Sequence, residues 1–217
     1  MMILELLFIF FIFTIYFFFY VEYKVNKNNN IYEYDKELTR QNINNEILLK
    51  MPFYFDGSHL NSSLNVSDYK IIKNDKKYQY KQYNMIENEI LLLKPYIKTY
   101  LKDNLYSIKT GGKIGIHTNQ ESVNYYFARD GNAQLFLIHP RFKDNFETNQ
   151  LDRKELQDHI EKNEHFHRLD FKKGTIVYVP NNWIVYIKNI EKKNCCIEKI
   201  SYSSLINKFM FYFKKKT

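Results

Sequence analysis

The chain opens with an almost unbroken run of apolar side chains at residues 6–21. Thirteen positions in this run are Leu, Ile, Phe or Val. At about −0.3 to −0.6 kcal/mol each, they favour membrane insertion by roughly 4 to 8 kcal/mol, and Glu5 opposes this only weakly because it lies near the end. With residues 1–4 the run gives a helix about 31 Å long, enough to cross a hydrocarbon core of about 30 Å. We therefore predict a transmembrane anchor over residues 1–24.

A cleaved signal peptide is the alternative interpretation of the same run. Such a peptide has positive charge before the apolar residues and small residues after them. Residues 1–5 contain no Lys or Arg, and residues 21–25 contain no Ala-x-Ala-like site, which favours an uncleaved anchor. Basic residues lie on the C-terminal side of the run, at Lys24, Lys27, Lys36 and Arg40. Because positive flanks tend to stay in the cytoplasm, we expect a single-pass membrane protein whose C-terminal domain faces the cytoplasm.

The next segments predict a linker and a helical region. Residues 25–34 are rich in Asn and Lys and predict a short linker. Residues 35–104 are expected to form a helical N-terminal part of the soluble domain. Within it, apolar residues recur at near-helical spacing over residues 34–50, and residues 51–55 predict a short strand that ends in a turn. The strongest helical pattern covers residues 85–103, where Pro95 predicts a kink or a break into two pieces.

Residues 105–202 alternate between short apolar runs and turn signals, a pattern typical of an all-β domain. Eight short strands separated by turns favour a jelly roll or cupin barrel. A polar stretch at residues 140–163 interrupts them and contains a helical pattern near residues 152–160. The predicted strands cover residues 105–108, 113–117, 123–129, 134–138, 167–171, 175–179, 183–189 and 194–202. The fold class is therefore mainly β with flanking helices.

The composition fits one folded domain and carries a basic excess. The chain has 217 residues, of which 45% are hydrophobic and 18% aromatic, so a disordered chain is excluded. Its 32 Lys and Arg against 24 Asp and Glu give a net charge of +8, which favours anionic partners or reflects a solvated lysine-rich surface. Nucleic acid is not an expected partner, because no recognition motif supports it. The abundance of Asn, Lys and Ile is typical of AT-rich genomes, such as those of large DNA viruses.

The C-terminal tail, residues 203–217, is apolar and then basic. Its last basic residues are Lys214, Lys215 and Lys216. These lysines could rest on an anionic bilayer surface, each adding about 1 kcal/mol of attraction. The equal alternative is a terminal helix that packs on the barrel and leaves its lysines in solvent.

Two stretches of the β region resemble JmjC-like cupins, the cupin-8-like family that includes asparaginyl hydroxylases. Residues 174–187 contain a strand, a proline-led turn with Trp183, and a second strand. Residues 131–140 follow the family's turn, strand and proline pattern, with Asn124 at the family spacing before them. The resemblance covers residues 110–190. It implies a double-stranded β-helix, the cupin or jelly-roll domain, placed after one N-terminal transmembrane helix.

The resemblance also implies where this chain departs from the family's chemistry. Active members hold Fe(II) with two histidines and one carboxylate, leaving positions open for 2-oxoglutarate and oxygen. His117 stands at the first ligand position, Asn119 at the carboxylate position and Val185 at the second histidine position. Ala133 stands where a lysine would pair with 2-oxoglutarate. We therefore expect a degenerate member with no metal and no cofactor at these positions, and catalysis is assigned to no residue.

Other histidines leave an unusual metal site open. His165 and His167 fall on one face of a strand. The carboxylates nearby in the sequence are Glu161, Glu164 and Asp170. Paired histidines at a strand entrance are more often solvated or hydrogen-bonded than bound to metal. His139 precedes a proline at a strand end and is expected to be structural, whereas His59 and His159 have no visible partners.

The leading hypothesis is a membrane-anchored JmjC-like cupin that lacks the iron-binding triad and serves in binding or structure. This hypothesis favours a protein without enzymatic activity. The alternative is a divergent Fe(II)/2-oxoglutarate-type oxygenase with rearranged ligands, for example His117 with His165 or His167. A third hypothesis is a membrane scaffold whose barrel is a docking surface. The lipid bilayer, contacted through residues 1–24, is the expected partner, and the sequence identifies no protein partner.

Overall fold

The computed structural model describes residues 2–35, 38–60, 69–74, 78–83, 91–96, 100–143 and 166–208. Two α-helices and twelve β-strands lie in these ranges, and the strands form two sheets. The helices are α1 (Met2–Tyr23) and α2 (Arg40–Leu49). The strands are β1 (Tyr32–Tyr34), β2 (Phe53–Asp56), β3 (Tyr69–Asn74), β4 (Tyr78–Tyr83), β5 (Tyr100–Ile108), β6 (Lys113–Thr118), β7 (Val123–Asp130), β8 (Ala133–Ile138), β9 (His167–Phe171), β10 (Thr175–Pro180), β11 (Ile184–Asn189) and β12 (Cys195–Ser203).

Strands β5 to β12 build the body of the domain. Every strand predicted over residues 105–202 is confirmed, although β5 begins earlier than expected. The large sheet has the order β1-β2-β10-β7-β12-β5-β4-β3, and the small sheet has the order β6-β11-β8-β9. This distribution of the eight strands over two facing sheets is the connectivity of a double-stranded β-helix, as in cupins. The predicted fold class is confirmed: the chain is a cupin-like β domain that follows one N-terminal helix.

The space between the two sheets is filled by a core of buried side chains. They alternate along each strand because successive Cβ atoms point to opposite faces of a sheet. Burying a large apolar side chain contributes roughly 1.5 to 3 kcal/mol, so this interior is the main source of stability. Members of this core include Tyr126, Ala128, Leu135, Leu137, Phe171, Val177, Val179, Trp183, Val185 and Ile187.

Helix α2 covers the outer face of the large sheet. The Thr39 side chain accepts a hydrogen bond from a backbone N–H of the first turn at 3.2 Å and so caps the helix. Ile43 and Ile47 are buried in a cluster with aromatic side chains of the sheet. The helical pattern over residues 34–50 is therefore confirmed from the start of α2 onward, but Leu48, which shares that pattern, is exposed.

The helix predicted over residues 85–103 is wrong in the part that the structure describes. Residues 91–93 form a single 3₁₀ turn, and β5 already begins at Tyr100. Pro95 cannot donate a hydrogen bond to a helical ladder. Every residue of β5 instead pairs with a residue of β12. This pairing satisfies the backbone along the whole strand and overrides the helical spacing of the apolar residues.

The described part of residues 35–104 contains β2, β3 and β4 besides α2, so the expected helical character of this region is wrong there. Strand β2 confirms the short strand predicted at residues 51–55. Strands β3 and β4 form an antiparallel hairpin that extends the large sheet beside β5. The helix expected near residues 152–160 and the end of the tail, residues 209–217, lie outside the described residues. The boundaries of the predicted domains stay predictions.

The turn between β7 and β8 requires glycine at its first position. Gly131 has a φ of +74°, a region that side chains other than glycine rarely adopt. A Cβ at this position would also lie 2.9 Å from the Cβ of Cys195. Backbone conformation and close packing therefore explain the glycine that begins the family-like stretch at residues 131–140.

Candidate functional site

The candidate site lies at one end of the barrel, where the β6–β7 and β10–β11 turns meet. The backbone N–H of Asn119 donates to the Trp183 carbonyl at 2.9 Å, and that of Asn182 donates to the Asn119 carbonyl at 2.8 Å. In the small sheet, His117 of β6 is paired with Val185 of β11. The structure thus brings His117, Asn119 and Val185 to the same end of the barrel.

Val185 is fully buried in the apolar interior. It lies opposite Leu137 of β8 and belongs to the same core cluster as Trp183. An isopropyl group has no lone pair for a metal, so this position contributes packing and no ligand. Ala133 is also buried, but it lies at the start of β8, four residues from Leu137 and roughly 13 Å along the strand. The structure therefore does not bring Ala133 to the end of the barrel that holds His117.

His117 begins a short chain of hydrogen bonds. Its Nδ1 lies 3.0 Å from the Gly115 carbonyl, its Nε2 lies 2.9 Å from the Tyr126 hydroxyl, and that hydroxyl lies 2.7 Å from the Asn119 amide. A carbonyl only accepts, so in a neutral ring Nδ1 carries the proton and Nε2 accepts from Tyr126. The Asn119 Nδ2 lacks a partner among the described residues when Oδ1 faces Tyr126. When the Asn119 amide is rotated by 180° so that Nδ2 faces Tyr126, Nδ2 donates to the Tyr126 oxygen.

Charged side chains lie next to this chain of hydrogen bonds. Lys199 is buried, with its Nζ 3.5 Å from Glu121 Oε2 and 5.5 Å from the centre of the Tyr126 ring. Lys102 reaches the other oxygen of Glu121 at 3.2 Å. Burial works to raise the pKa of Glu121, but Lys199 and Lys102 outweigh it and lower that pKa to about 2. Burial first, and then the Lys199 charge, lower the pKa of His117 to about 4, so its ring is neutral at pH 7.

The donor set at this end of the barrel does not fit ferrous iron. Fe(II) oxygenases present two imidazoles and one carboxylate on one face. Here the His117 ring and the Asn119 amide are both hydrogen-bonded to Tyr126, and Val185 offers no donor. The Glu121 carboxylate is paired with two lysines. Over the described ranges, no group of three or more His, Cys, Asp or Glu side chains is placed to hold a metal ion.

The histidines considered as alternative ligands are held apart where the structure describes them. His117 and His167 lie on β6 and β9, the two edge strands of the small sheet, so their backbones are about 14 Å apart across it. Asp170 is exposed and lies on the opposite face of β9 from His167. His159, His165, Glu161 and Glu164 lie outside the described residues.

The N-terminal segment of the chain closes this end of the barrel. His139, which follows β8, donates from Nε2 to the Asn26 carbonyl at 2.7 Å. His167 donates from Nε2 to the Asn29 carbonyl, also at 2.7 Å. His139 thus has the structural role that its sequence position indicated. Of the predicted linker at residues 25–34, residues 25–31 connect α1 to β1 and are bound across the barrel end, whereas residues 32–34 form β1 itself.

Trp183 and Ile31 complete the closure. The ring centre of Trp183 lies 5.0 Å from that of His139 and 6.4 Å from that of His167. Ile31 packs against the interior core. Burial lowers the pKa of both His139 and His167, so each ring is neutral at pH 7 and keeps one N–H for its carbonyl partner.

The last turn of α1 is bound into the same end of the barrel. Glu22 is buried, and its carboxylate accepts a hydrogen bond from the Ser122 hydroxyl. Its backbone carbonyl accepts from the Asn181 side chain at 2.9 Å and from the Lys50 Nζ at 3.4 Å. Ser122 precedes β7 and Asn181 follows β10, so Glu22 ties the helix to both strands.

Sequence reasoning missed Tyr126, Lys199 and Glu22. Tyr126 and Lys199 lie opposite each other in the pairing of β7 with β12, both at inward-facing positions. A lysine at an inward strand position is the signal that could have revealed this cluster, because lysines are rarely buried unless they are paired. Glu22 carried a weaker signal, as an acidic side chain directly after the apolar run.

Comparisons with known proteins add a distant structural likeness. No protein-family model matches the chain, and no curated protein matches it significantly. Oxalate decarboxylase from Bacillus subtilis is 11% identical with a TM-score of 0.42, and the match covers 62% of this chain and 28% of that chain. The enzyme from Lactobacillus farciminis is 12% identical with a TM-score of 0.41, over 64% of this chain and 32% of that chain. This chain therefore spans less than a third of either structure, and its fold assignment stands on its own strand order.

We predict that the neutral His117 ring makes the fold less stable in mildly acidic solution. The unfolded chain protonates this residue below its ordinary pKa of 6.5, whereas the folded ring resists protonation until about pH 4. Between these values the unfolded state binds more protons, so stability falls as the pH is lowered from 6.5 to 4. Because the ring keeps some exposure, we expect a loss of about 1 to 3 kcal/mol from this residue.

The substitution His117→Gln should remove this part of the pH dependence, because an amide can keep the contact with Tyr126 and does not titrate. The contributions of His139 and His167 would remain. Urea unfolding of the full chain in detergent at a series of pH values measures the effect. His59→Gln, at an exposed position, is the matched control and should behave as the parent chain. A pH dependence in H117Q equal to that of the parent would exclude the buried ring as its cause.

We also predict that Glu22→Ala releases the N-terminal segment from the barrel. The change leaves the buried Ser122 hydroxyl without this acceptor, which costs about 1 to 3 kcal/mol. Trypsin should then cleave faster after Lys24 and Lys27, which are exposed in a segment whose backbone is bound to the barrel. Glu33→Ala removes an exposed carboxylate nearby and serves as the control. Cleavage of all three chains at one rate would contradict the role assigned to Glu22.

Proposed function

We propose that this chain is a membrane-anchored JmjC-like cupin that lacks iron chemistry and serves in binding or structure. The observation that carries the proposal is the closure of the barrel end at which His117 and Val185 lie. Residues 22–31 are hydrogen-bonded across that end, where a substrate and a cosubstrate would have to enter. A backbone segment bound across this approach leaves less room for a substrate and a cosubstrate.

The chemistry of the same end supports the proposal. The one imidazole at a family ligand position, His117, is neutral and hydrogen-bonded on both nitrogens. Its strand partner Val185 adds an aliphatic contact to the core. A divergent oxygenase would need three ligands around one metal, and the described part of the chain supplies no such group. The proposal includes no cofactor, because Val185 offers no metal ligand and Glu121 is paired with two lysines.

The apolar helix supports a membrane anchor. The span Ile3–Tyr23 is long and apolar enough to cross a membrane, with a mean hydropathy of 2.3. The apolar stretch of 18 residues within it has no buried residue, and Glu22, near the end of the span, is the buried exception. The binding of Glu22 to the barrel favours an uncleaved helix, because the last turn of α1 is part of the folded domain. We propose that the barrel lies on the cytoplasmic side, as the basic flank indicates.

The remaining parts of the proposal rest on the sequence. The tail lysines Lys214, Lys215 and Lys216 are proposed to contact anionic lipid, in addition to the bilayer contact of residues 1–24. Nucleic acid is not a proposed partner. The JmjC-like ancestry rests on the resemblance at residues 110–190, and a viral source rests on composition.

The purified full chain in detergent is expected not to turn over 2-oxoglutarate. With Fe(II) and 2-oxoglutarate it should form no succinate above the protein-free control, while an active JmjC-like hydroxylase assayed in parallel does. Fe(II) or Mn(II) should also leave the unfolding temperature unchanged, because a ligand stabilises a fold only when it binds the folded state. Succinate formation, or a metal-dependent rise in unfolding temperature that His117→Ala abolishes, would overturn the proposal in favour of the oxygenase.

The anchor is tested by placing charge at the centre of α1. Two arginines there cost about 5 to 7 kcal/mol, comparable with the roughly 4 to 8 kcal/mol that favours insertion. The double variant Phe10→Arg and Phe13→Arg should therefore be released from membranes by alkaline carbonate, whereas the parent chain stays bound. The control replaces the same residues by Leu. Release of the parent chain, or retention of the arginine variant, would count against the anchor.

A further inference from the structure

Helix α1 leaves almost no free chain between a membrane and the barrel. Its apolar span of 21 residues is about 31 Å long, and a hydrocarbon core is about 30 Å thick. Glu22, in the last turn of that span, is bound to Ser122 and Asn181 at the barrel end. If α1 crosses the bilayer, the barrel surface around Glu22 lies in the headgroup layer, which is about 5 to 8 Å deep on each side.

Exposed leucines lie on one side of this surface. Leu48 and Leu49 end α2, and their exposed fractions are 69% and 48%. The Asn26 side chain donates to the Leu49 carbonyl at 2.8 Å. The next residue, Lys50, donates to the Glu22 carbonyl at 3.4 Å. The end of α2 therefore lies directly beside the end of α1.

A third exposed leucine lies on the other side of Glu22. Leu205 is 68% exposed and begins a helical turn at residues 205–208, after β12. The N–H of the preceding residue, Ser204, donates at 3.2 Å to the Ser122 hydroxyl, the group that binds Glu22. Two elements that are distant in the sequence thus expose leucines within a few residues of the same buried carboxylate.

Basic side chains flank these leucines. Lys24 follows α1, with its Nζ 6.0 Å from the centre of the Tyr20 ring. Arg141 lies two residues after His139, which binds the Asn26 carbonyl. Lys208 belongs to the same turn as Leu205, and all three basic side chains are exposed. Exposed leucine side chains with basic neighbours are typical of protein surfaces that enter the interface of an anionic bilayer.

We propose that Leu48, Leu49 and Leu205 insert into the interface of the bilayer that α1 crosses, so that the barrel rests on the membrane with its closed end towards the lipid. This inference rests on the proposed function, because it requires α1 to span the membrane. The occupant of the surface is lipid and not a second copy of the chain, since α1 itself carries this surface to the bilayer. The basic flank matches anionic headgroups.

The chain provides a matched control at its other end. Ile190 is 49% exposed and lies in the β11–β12 turn, at the far end of the barrel from Glu22. It is as apolar as the leucines and comparably exposed. The inference places it away from lipid, so the two ends of one barrel can be compared in one preparation.

The test uses full-length chains, each with one accessible introduced cysteine, in vesicles of phosphatidylcholine and phosphatidylserine. Leu48→Cys, Leu205→Cys and Ile190→Cys are made in a Cys196→Ser background, in which the remaining cysteine, Cys195, is buried. Each is labelled with an environment-sensitive fluorophore, and lipids with brominated chains act as quenchers. We expect the labels at positions 48 and 205 to shift to shorter wavelength and to lose most of their emission to the quencher. The label at position 190 should show neither change.

A Phe10→Cys chain, labelled in the same way, distinguishes a failure of the proposed membrane anchor from a failure of the proposed leucine insertion. Quenching at position 10 without quenching at 48 and 205 would overturn the present inference and leave the anchor standing. No quenching at position 10 would overturn the anchor and the inference with it. A shift to shorter wavelength at 48 and 205 that the brominated lipids do not quench would show that protein covers the leucines, which also overturns the inference.

Discussion

A carboxylate that is removed from water needs partners, and this requirement determines how the helix and the barrel of this protein are joined. An unpaired buried charge is too costly for a fold of ordinary stability. Glu22 meets the requirement through the Ser122 hydroxyl, while its backbone carbonyl is held by Asn181 and Lys50. These partners come from three separate parts of the chain. The direction in which α1 leaves the domain is therefore determined by hydrogen bonds and not by the reach of a flexible linker.

The closed barrel end follows from that attachment. Once Glu22 is bound, the next residues have to cross the end of the barrel to reach β1, and the carbonyls of Asn26 and Asn29 meet His139 and His167 there. The interior of the barrel behind this end is filled with side chains. The aliphatic Val185, in the core beside His117, fits such an interior. The aliphatic side chain of Val185 and the segment bound across this barrel end thus both agree with the proposal that iron chemistry is absent.

The sequence could predict the barrel strands because their burial pattern is local. Residues 175–179 and 184–189 are bounded by turns and are rich in β-branched and aromatic side chains, so each segment carries its own signal. The two family-like stretches also singled out His117, Asn119 and Val185, which the structure brings to one end of the barrel. The prediction of a helix over residues 85–103 was wrong because Leu101 pairs with Tyr202 of β12, about a hundred residues later, and therefore lies in a strand. The role of Glu22 and the pairing of Lys199 with Glu121 were missed because their partners are also distant in the sequence.

The attachment of Glu22 also has a consequence for biosynthesis. Its partners Ser122 and Asn181 are separated from it by 100 and 159 residues. Contacts between such distant residues form slowly, because the entropy of closing a long loop opposes them. β12 pairs with both β5 and β7, so the two halves of the large sheet are not joined until β12 has left the ribosome. If α1 is inserted in a membrane, as proposed above, the nascent domain matures beside the lipid surface, with unpaired strand edges exposed until β12 arrives.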